Sequence, residues 1–415
     1  MERRHQTVMA LAVAALAAGT ALVVGVGTSA PAPQATTMAK ATTAKATDTA
    51  KATDTAKATD TAKPSATGSP TPGTPSATPT PDPAKSDGTL QILTYRGYAE
   101  YGGISADANW VGSFERDTGC RVARLDTVQT EAEMADRFDD RPYDVVSAGP
   151  VLAGHLIKTK QVQPIDPAKV AGYDDLAERF RDMSTVSGKA YGVPFLWGFN
   201  EFVYDSSKVK GGDLKQVFAA DRVALQDTPM TIAEAALADE SVKNPYEPTA
   251  EQFDRAIALL GQNRERTYWK NPIDLLKGFS TGSLDYAQTT PYYRLLLQAA
   301  KLPIKTVRTA RTTGWVDSWM LGANVPDTGC AYRWLNWMAE ADHQREAAAW
   351  MGLAPANPKA CKKDAARICA AYGAEKPHRL DRVVFAQRPP GDCRPEDGEC
   401  TIYTTWQKPW SGLAE

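Results

Sequence analysis

The sequence predicts an α/β protein with two lobes joined by two hinge crossings, and three observations support this fold class. The chain has 415 residues. About 325 remain when an atypical N-terminal part is set aside, which suits two lobes of about 150 residues each. Short apolar runs alternate with segments of helical spacing, which favours mixed, mostly parallel sheets with helices on both faces. A second region of the same kind interrupts the first.

The first 30 residues carry the signs of export. Arg3 and Arg4 precede an uncharged run at residues 8–27, and a positive head before an apolar stretch is typical of a signal peptide. A run of about 20 apolar residues can also span a bilayer. We therefore expect residues 1–30 to be a signal peptide or an N-terminal membrane anchor, and the protein to be secreted or held at the outer face of the cell.

Residues 31–88 are predicted to be a disordered stalk. The sequence KATDTA occurs three times in succession from Lys45, and a stretch rich in Pro, Thr, Ser and Gly follows. Such a segment has too few large apolar side chains to offset the entropy lost on folding. An extended stalk of this kind would hold the folded part away from the membrane.

Strand and helix candidates of the first lobe occupy residues 89–198, and residues 312–415 complete that lobe. These candidates are strands at 90–93, 122–125 and 143–147, and helices at 110–116, 131–138, 152–158, 332–341 and 344–351. The second lobe is predicted at residues 199–311. Its candidates are strands at 202–204, 223–225 and 304–307, and helices at 231–238 and 252–260. The chain should cross between the lobes near residues 197–201 and 311–315.

The loop at residues 95–103 follows the first predicted strand. It carries Tyr95, Tyr98 and Tyr101 together with two adjacent glycines. Ligands of open α/β sheets bind at the carboxyl ends of the strands. We therefore expect this loop to lie at a binding site.

Charge and motif content exclude several classes of function. The formal net charge is −2, which gives no electrostatic basis for binding nucleic acid or an anionic membrane surface. The four histidines form no metal-binding spacing, and no glycine-rich phosphate loop occurs, so neither a metal nor a cofactor is expected.

One enzyme motif is present by sequence. Residues 278–282 read GFSTG, which matches the GxSxG nucleophile elbow with Ser280 as the nucleophile. That elbow requires a strand before the serine and a helix after it. Here a helix is predicted before Ser280 and a strand after it, so we expect no enzyme, and a serine hydrolase is only a remote alternative.

Six short motifs occur in order along residues 89–357. They read GYAEY (97–101), FERDTG (114–119), YDVV (143–146) with VQPID (162–166), GVPFLWG (192–198), WVDS (315–318) and GLAPAN (352–357). Together they resemble the spermidine/putrescine-binding proteins of bacterial ABC importers. This resemblance implies the type II periplasmic-binding-protein fold.

The resemblance also implies a receptor that grips a polyamine between its lobes. The family's contacts, carried over by motif, fall on Tyr98, Tyr101, Trp315, Asp317 and Asp227. An ammonium over an aromatic face gains about 0.5–2 kcal/mol, and a carboxylate adds a charge-assisted hydrogen bond. The implied partners are the small solute and an ABC permease in the membrane, with the receptor itself a monomer.

Several positions depart from the family pattern. Val151, Met230 and Leu353 stand where the family has an aromatic residue, an acid and a tyrosine. Arg308 and Arg311 lie near the return crossing, where they would repel a dication if they faced the cleft. A non-polyamine solute therefore stays an alternative, as does a surface sensor module.

Six cysteines in an exported chain indicate disulfides. Cys361 with Cys369, and Cys393 with Cys400, are close enough in sequence to close local loops. Cys120 and Cys330 would then join distant segments. Residues 361–400 have no counterpart in the family that we can place, and we expect them to form a disulfide-stapled surface insertion.

Overall fold

The computed structural model describes residues 88–103, 108–263, 266–323, 325, 329–387 and 400–414. The predicted export segment and all of the predicted stalk except Gly88 lie outside these residues. Within the described ranges, no helix combines the length and the apolar character that crossing a bilayer requires.

Among the described residues, the first lobe begins with seven strands and four helices. These are β1 (Thr89–Tyr95), α1 (Trp110–Thr118), β2 (Arg121–Val128), α2 (Glu131–Asp140), β3 (Val145–Ala148), α3 (Pro150–Lys158), β4 (Val162–Gln163), α4 (Glu178–Met183), β5 (Thr185–Val186), β6 (Lys189–Ala190) and β7 (Val193–Phe199). Short 3-10 turns at Pro167–Lys169 and Tyr173–Asp175 precede α4.

The second lobe follows without a break. It contains β8 (Glu201–Asp205), α5 (Leu214–Ala219), β9 (Val223–Gln226), α6 (Thr231–Ala236), α7 (Ala250–Gly261), β10 (Thr267–Trp269), α8 (Ile273–Thr281), β11 (Tyr286–Thr289), α9 (Pro291–Ala299) and β12 (Ile304–Thr306).

The returning chain completes the first lobe and then leaves it. It contains β13 (Thr312–Gly322), α10 (Cys330–Ala339), α11 (Ala341–Met351), β14 (Ala354–Pro355), α12 (Ala366–Tyr372), β15 (Val383–Phe385) and α13 (Gln407–Ala414). Short 3-10 turns occur at Pro358–Ala360, Lys363–Ala365, Pro377–Arg382 and Tyr403–Thr405.

Each lobe has its own mixed sheet. The first runs β14-β7-β13-β3-β1-β2, with β15 and β4 also paired to β13, and the second runs β10-β9-β11-β8-β12. The predicted fold class is thereby confirmed. Parallel pairing is confined to β1 with β2 and β3, β9 with β10 and β11, and β13 with β15. Among the described strands the antiparallel pairs outnumber the parallel ones, so the sheets are mixed and not mostly parallel. Most of the antiparallel pairs involve β8 or β13, the two strands that enter a lobe from the hinge.

The two crossing segments are hydrogen-bonded to each other. The backbone N–H of Asn200 donates to the carbonyl of Thr313 at 2.9 Å, and the Asn200 side-chain amide donates to the Thr313 hydroxyl at 2.9 Å. Thr312 in turn donates its hydroxyl to the carbonyl of Asn200 at 2.6 Å. The lobes are therefore joined by a tied pair of strands rather than by two independent linkers.

A buried acid of the second lobe contacts this hinge. Glu234 on α6 is fully buried. It accepts hydrogen bonds from the Thr313 N–H at 2.9 Å, from the Thr312 hydroxyl at 3.1 Å and from the Thr313 hydroxyl. Burial raises the pKa of Glu234, while the donors from Thr313, Thr312 and Asn200 oppose that rise.

Two of the expected disulfides are confirmed. Cys120, just before β2, is bonded to Cys330 at the start of α10, 210 residues along the chain. Cys361 is bonded to Cys369 within the C-terminal part. Cys400 is also disulfide-bonded, and its expected partner Cys393 lies outside the described residues.

The prediction that residues 361–400 form a surface insertion is wrong for the part of this segment that the structure describes. Ile368 and Tyr372 on α12 are buried in the first-lobe core, and β15 pairs in parallel with the first three residues of β13. The described part of this segment, residues 361–387, packs its apolar residues against the face and edge of the main sheet.

The assignment of the whole 312–415 range to the first lobe also needs correction. Trp406 and Trp410 are buried in a cluster formed mainly by second-lobe side chains. Two large apolar rings favour burial over exposure at the surface, and the second lobe provides the cover.

Candidate functional site

The site begins with a tyrosine bound to an aspartate from a distant part of the chain. β1 ends at Tyr95, and a turn follows in which the Tyr98 N–H donates to the Tyr95 carbonyl at 3.1 Å. Gly97 has a φ of 96° in this turn, a conformation that favours glycine. The Tyr98 hydroxyl donates to Oδ2 of Asp317 on β13. Burial, followed by the Asp317 carboxylate, raises the pKa of Tyr98, so Tyr98 remains a donor.

A second carboxylate lies beside Asp317. Glu131 is in the first turn of α2, which Thr130 caps, and it hydrogen-bonds the Tyr95 hydroxyl. A Cβ atom on Gly149 would overlap Oε1 of Glu131 and would lie 3.1 Å from Oδ1 of Asp317. The two carboxylates are therefore neighbours across one glycine, which has to be a glycine to leave them room.

Sequence reasoning missed Glu131. An acid in the first turn of a helix is ordinarily explained by its favourable interaction with the helix dipole, and that explanation gave no reason to look further. A usable signal was its position directly after β2, because β1, β2 and β3 are parallel neighbours whose carboxyl ends share one edge of the sheet.

Aromatic packing fixes Tyr98 in place. Its ring meets Tyr95 edge-on, with the centroids 5.4 Å apart, and meets Phe195 in the same way at 5.4 Å. The Trp110 indole N–H donates to the Tyr98 carbonyl at 3.0 Å. Only 2% of Tyr98 is exposed. The hydroxyl is consequently held toward Asp317 and is not free to swing out.

Trp315 lies two residues before Asp317 on β13, and the pairing of β13 with β7 is irregular between Val316 and Ser318. Trp315 is half-buried. A Cβ on Gly198 would lie 2.7 Å from Cζ2 of Trp315 and 3.1 Å from Cδ2 of Leu353. The Trp315 ring therefore packs over a glycine of β7.

Tyr101 and Asp227 have other partners. Tyr101 is 43% exposed, and its hydroxyl donates to Oε1 of Glu115 at 3.1 Å. Asp227 follows β9 in the second lobe. It accepts the indole N–H of Trp410 on Oδ1 at 2.8 Å and pairs with the Lys270 ammonium on Oδ2 at 3.2 Å.

The structure also shows the contacts of residues that depart from the family pattern. Val151 and Met230 both pack against the apolar cluster that contains Trp406 and Trp410. The Arg311 guanidinium donates to the backbone carbonyls of residues 242 and 243. Arg311 is therefore bound to a second-lobe loop.

An open groove of about 650 Å³ lies elsewhere on the first lobe. Its lining includes Asp166, Tyr173, Arg181 and Lys189, and none of the predicted contact residues. Ligands of open α/β sheets bind at the carboxyl ends of the strands, which is where Tyr98 and the neighbouring carboxylates lie. We therefore centre the candidate site on Tyr98, not on this groove.

Metal and serine chemistry have little support in the described ranges. These ranges contain no group of three or more His, Cys, Asp or Glu side chains suited to hold a metal ion. Ser280 is exposed in the last turn of α8, and β11 follows it. That order is the reverse of a nucleophile elbow.

Comparison with known families gives one match. Residues 109–368 match the sequence model described as bacterial extracellular solute-binding protein.

Solved structures give the same fold. The spermidine/putrescine ABC transporter substrate-binding protein of Streptococcus pneumoniae is 13% identical, with a TM-score of 0.59 over 79% of this chain and 99% of that one. A putative spermidine/putrescine ABC transporter protein of Listeria monocytogenes is 14% identical, with a TM-score of 0.59 over 79% and 98%. An A. tumefaciens binding protein in complex with glucopine is 15% identical, with a TM-score of 0.57 over 79% and 100%.

Proposed function

The chain belongs to the family of bacterial extracellular solute-binding proteins, and we propose that it binds a small organic cation between its lobes and delivers it to an ABC permease. The observation that carries this proposal is the buried Tyr98–Asp317 pair with Glu131 beside it. In this proposal Asp317 and Glu131 hold the cation, and Tyr98 and Trp315 supply aromatic surface.

The electrostatics of the pair favour a cation. Two neighbouring carboxylates repel each other when both are ionised, and an ammonium placed near both relieves that repulsion. The Tyr98 hydroxyl donates to Asp317 and so orients that carboxylate. The aromatic faces of Tyr98 and Trp315 would add attraction for a positively charged group.

The position in the fold also supports a ligand site. Tyr98 follows β1, Glu131 follows β2, and Gly149 follows β3. These three strands are parallel neighbours, so all three positions lie at their carboxyl ends, where ligands of such sheets bind. The hinge at Asn200 and Thr313 offers a place for the second lobe to rotate and close.

A solute screen tests this proposal. The full chain is heated with panels of amines, amino acids, quaternary amines, sugars and organic acids, and the melting temperature is recorded. We expect shifts with cationic solutes only, since a ligand bound to the folded form alone adds about 2.7 kcal/mol of stability at a hundred times its dissociation constant. Shifts with sugars or organic acids, and none with any amine, would overturn the proposal.

A solute other than a polyamine is the second candidate within the same family. Val151, Met230 and Leu353 replace three residues that the polyamine resemblance leads us to expect. The relative from A. tumefaciens, whose structure contains glucopine, supports a wider range of solutes for this fold. The same screen separates the two candidates.

A further inference from the structure

The last described segment of the chain, residues 400–414, lies across both lobes, and we call it the C-terminal strap. On the second lobe, Cys400 forms a β-bridge with Thr249. The N–H of Tyr403 also donates to the Tyr246 carbonyl at 3.2 Å. On the first lobe, the Tyr403 hydroxyl donates to the Pro150 carbonyl at 3.3 Å, at the start of α3. The Tyr403 side chain of the strap therefore contacts the residue that directly follows Gly149 in the sequence.

Large aromatic side chains fill the space under the strap. Trp406 packs on Phe253 with the ring centroids 5.5 Å apart, and Trp410 meets Tyr268 edge-on at 5.1 Å. Trp406 is 1% exposed and Trp410 is 3% exposed. These rings belong to the core of the molecule.

The same apolar cluster contains Val151 and Met230. These are two of the positions where the sequence departs from the polyamine pattern. Val151 and Met230 pack against the cluster that contains Trp406 and Trp410. The two positions at which the polyamine pattern has an aromatic residue and an acid are therefore apolar here and lie beside the strap's cluster.

The strap also binds the acid of the second lobe. The Trp410 indole N–H holds Oδ1 of Asp227, and the Lys270 ammonium holds Oδ2. Asp227 is only 17% exposed. To reach this carboxylate, a second ammonium group of a ligand would have to displace the Lys270 ammonium and break the hydrogen bond from Trp410.

We propose, on the basis of the function proposed above, that the strap and Lys270 set the length of the ligand. The resemblance makes Asp227 the second-lobe contact for a ligand, and the strap and Lys270 already bind both of its carboxylate oxygens. The ligand is a short cation with a single positive centre, held at Asp317 and Glu131.

Two amines with the same carbon chain test this inference. n-Butylamine carries one ammonium group and putrescine carries two, and isothermal titration with the full chain gives a Kd for each. We expect n-butylamine to bind the unaltered chain about tenfold or more tightly than putrescine. In Lys270→Ala and Trp410→Phe, putrescine should gain about tenfold relative to n-butylamine. Lys277→Ala, which removes an exposed lysine of α8, is the matched control and should leave the ratio unchanged.

The outcomes separate this inference from the proposed function. Putrescine binding the unaltered chain as tightly as n-butylamine, with a ratio unmoved by Lys270→Ala and Trp410→Phe, overturns the inference and leaves cation binding intact. If neither amine binds any of the proteins, both the inference and the proposed function are overturned. Lys270 is 77% exposed, so its replacement reports on the site and not on folding.

Discussion

Asp317 in the first lobe and Asp227 in the second were both predicted to contact ligand, but the structure surrounds them differently. Asp317 accepts a hydrogen bond from the Tyr98 hydroxyl and lies beside a second acid, Glu131. Asp227 is paired with a lysine and an indole N–H. The Tyr98 hydroxyl brings no charge to Asp317, whereas the Lys270 ammonium already provides Asp227 with a cation. The partners of an acid, and not its position alone, decide whether it can serve a ligand.

The largest effect is expected from crowding the first-lobe pair. Gly149→Ala places a methyl group against Oε1 of Glu131 and close to Asp317. Forcing an extra carbon into a packed site costs about 1–3 kcal/mol, and it should also weaken cation binding. Urea unfolding measures the first effect and titration the second. Gly103→Ala is the control, since its Cβ would meet nothing within 4 Å. Equal stabilities of the two variants would contradict the packed arrangement.

Asp317→Asn removes the charge of the first-lobe acid and keeps its shape. We expect the affinity for a cationic ligand to fall about tenfold or more, which corresponds to roughly 1.4 kcal/mol per decade. Calorimetric titration provides the measurement, with Asp254→Asn on the exposed surface of α7 as the matched control. Unchanged affinity in Asp317→Asn would remove this residue from the site.

A third acid, Glu234 at the hinge, differs from Asp317 and Asp227 because we expect it to make the stability of the fold depend on pH. Burial raises its pKa in the folded protein, so the folded state holds the proton more tightly than the unfolded chain, where the pKa is about 4.3. Its contribution to stability is complete below that pH and is lost as the pH rises through the folded pKa.

Glu234→Gln cannot titrate and keeps an oxygen for the Thr312 and Thr313 donors. We therefore expect the stability of the unaltered chain to decline relative to Glu234→Gln as the pH rises from 4 toward neutrality. Urea unfolding of both proteins between pH 4 and pH 8 tests this expectation. A stability difference that is constant over this range would show that Glu234 titrates alike in both states.

The smallest effect is expected at the second-lobe acid. Lys270 is 77% exposed in its pair with Asp227, and exposed ion pairs contribute at most about 1 kcal/mol. Lys270→Ala should therefore change the free energy of unfolding by less than about 0.5 kcal/mol, even though we expect it to alter ligand preference. A large loss of stability would mean that Lys270 supports the fold and is not mainly an occupant of the site.

The sequence was sufficient for the fold class and for one contact of the candidate site. Tyr98 and Asp317 were predicted from motifs that resemble those of the family, and the structure places their side chains in contact. Their meeting across 219 residues follows from the return of the chain through the hinge. Tyr101 was grouped with Tyr98 by proximity in sequence, but the turn after β1 sends its hydroxyl to Glu115 at the surface.

Other parts of the site depend on contacts that no local pattern reveals. Trp410 reaches Asp227 from 183 residues away, and neither residue has a neighbour in sequence that indicates the other. β15 is a strand of three residues, too short for a periodicity to show. Its place at the edge of β13 is decided by tertiary packing.

The disulfide bond between Cys120 and Cys330 links the two chain segments that lead into and out of the second lobe. Residues 199–311, which form most of the second lobe, all lie between these two cysteines, so this part of the lobe belongs to a covalent ring. A protease cut within residues 199–311 would leave the polypeptide as one molecule until the bond is reduced. Outside the cell, where such bonds persist, a nicked receptor would keep its two halves together.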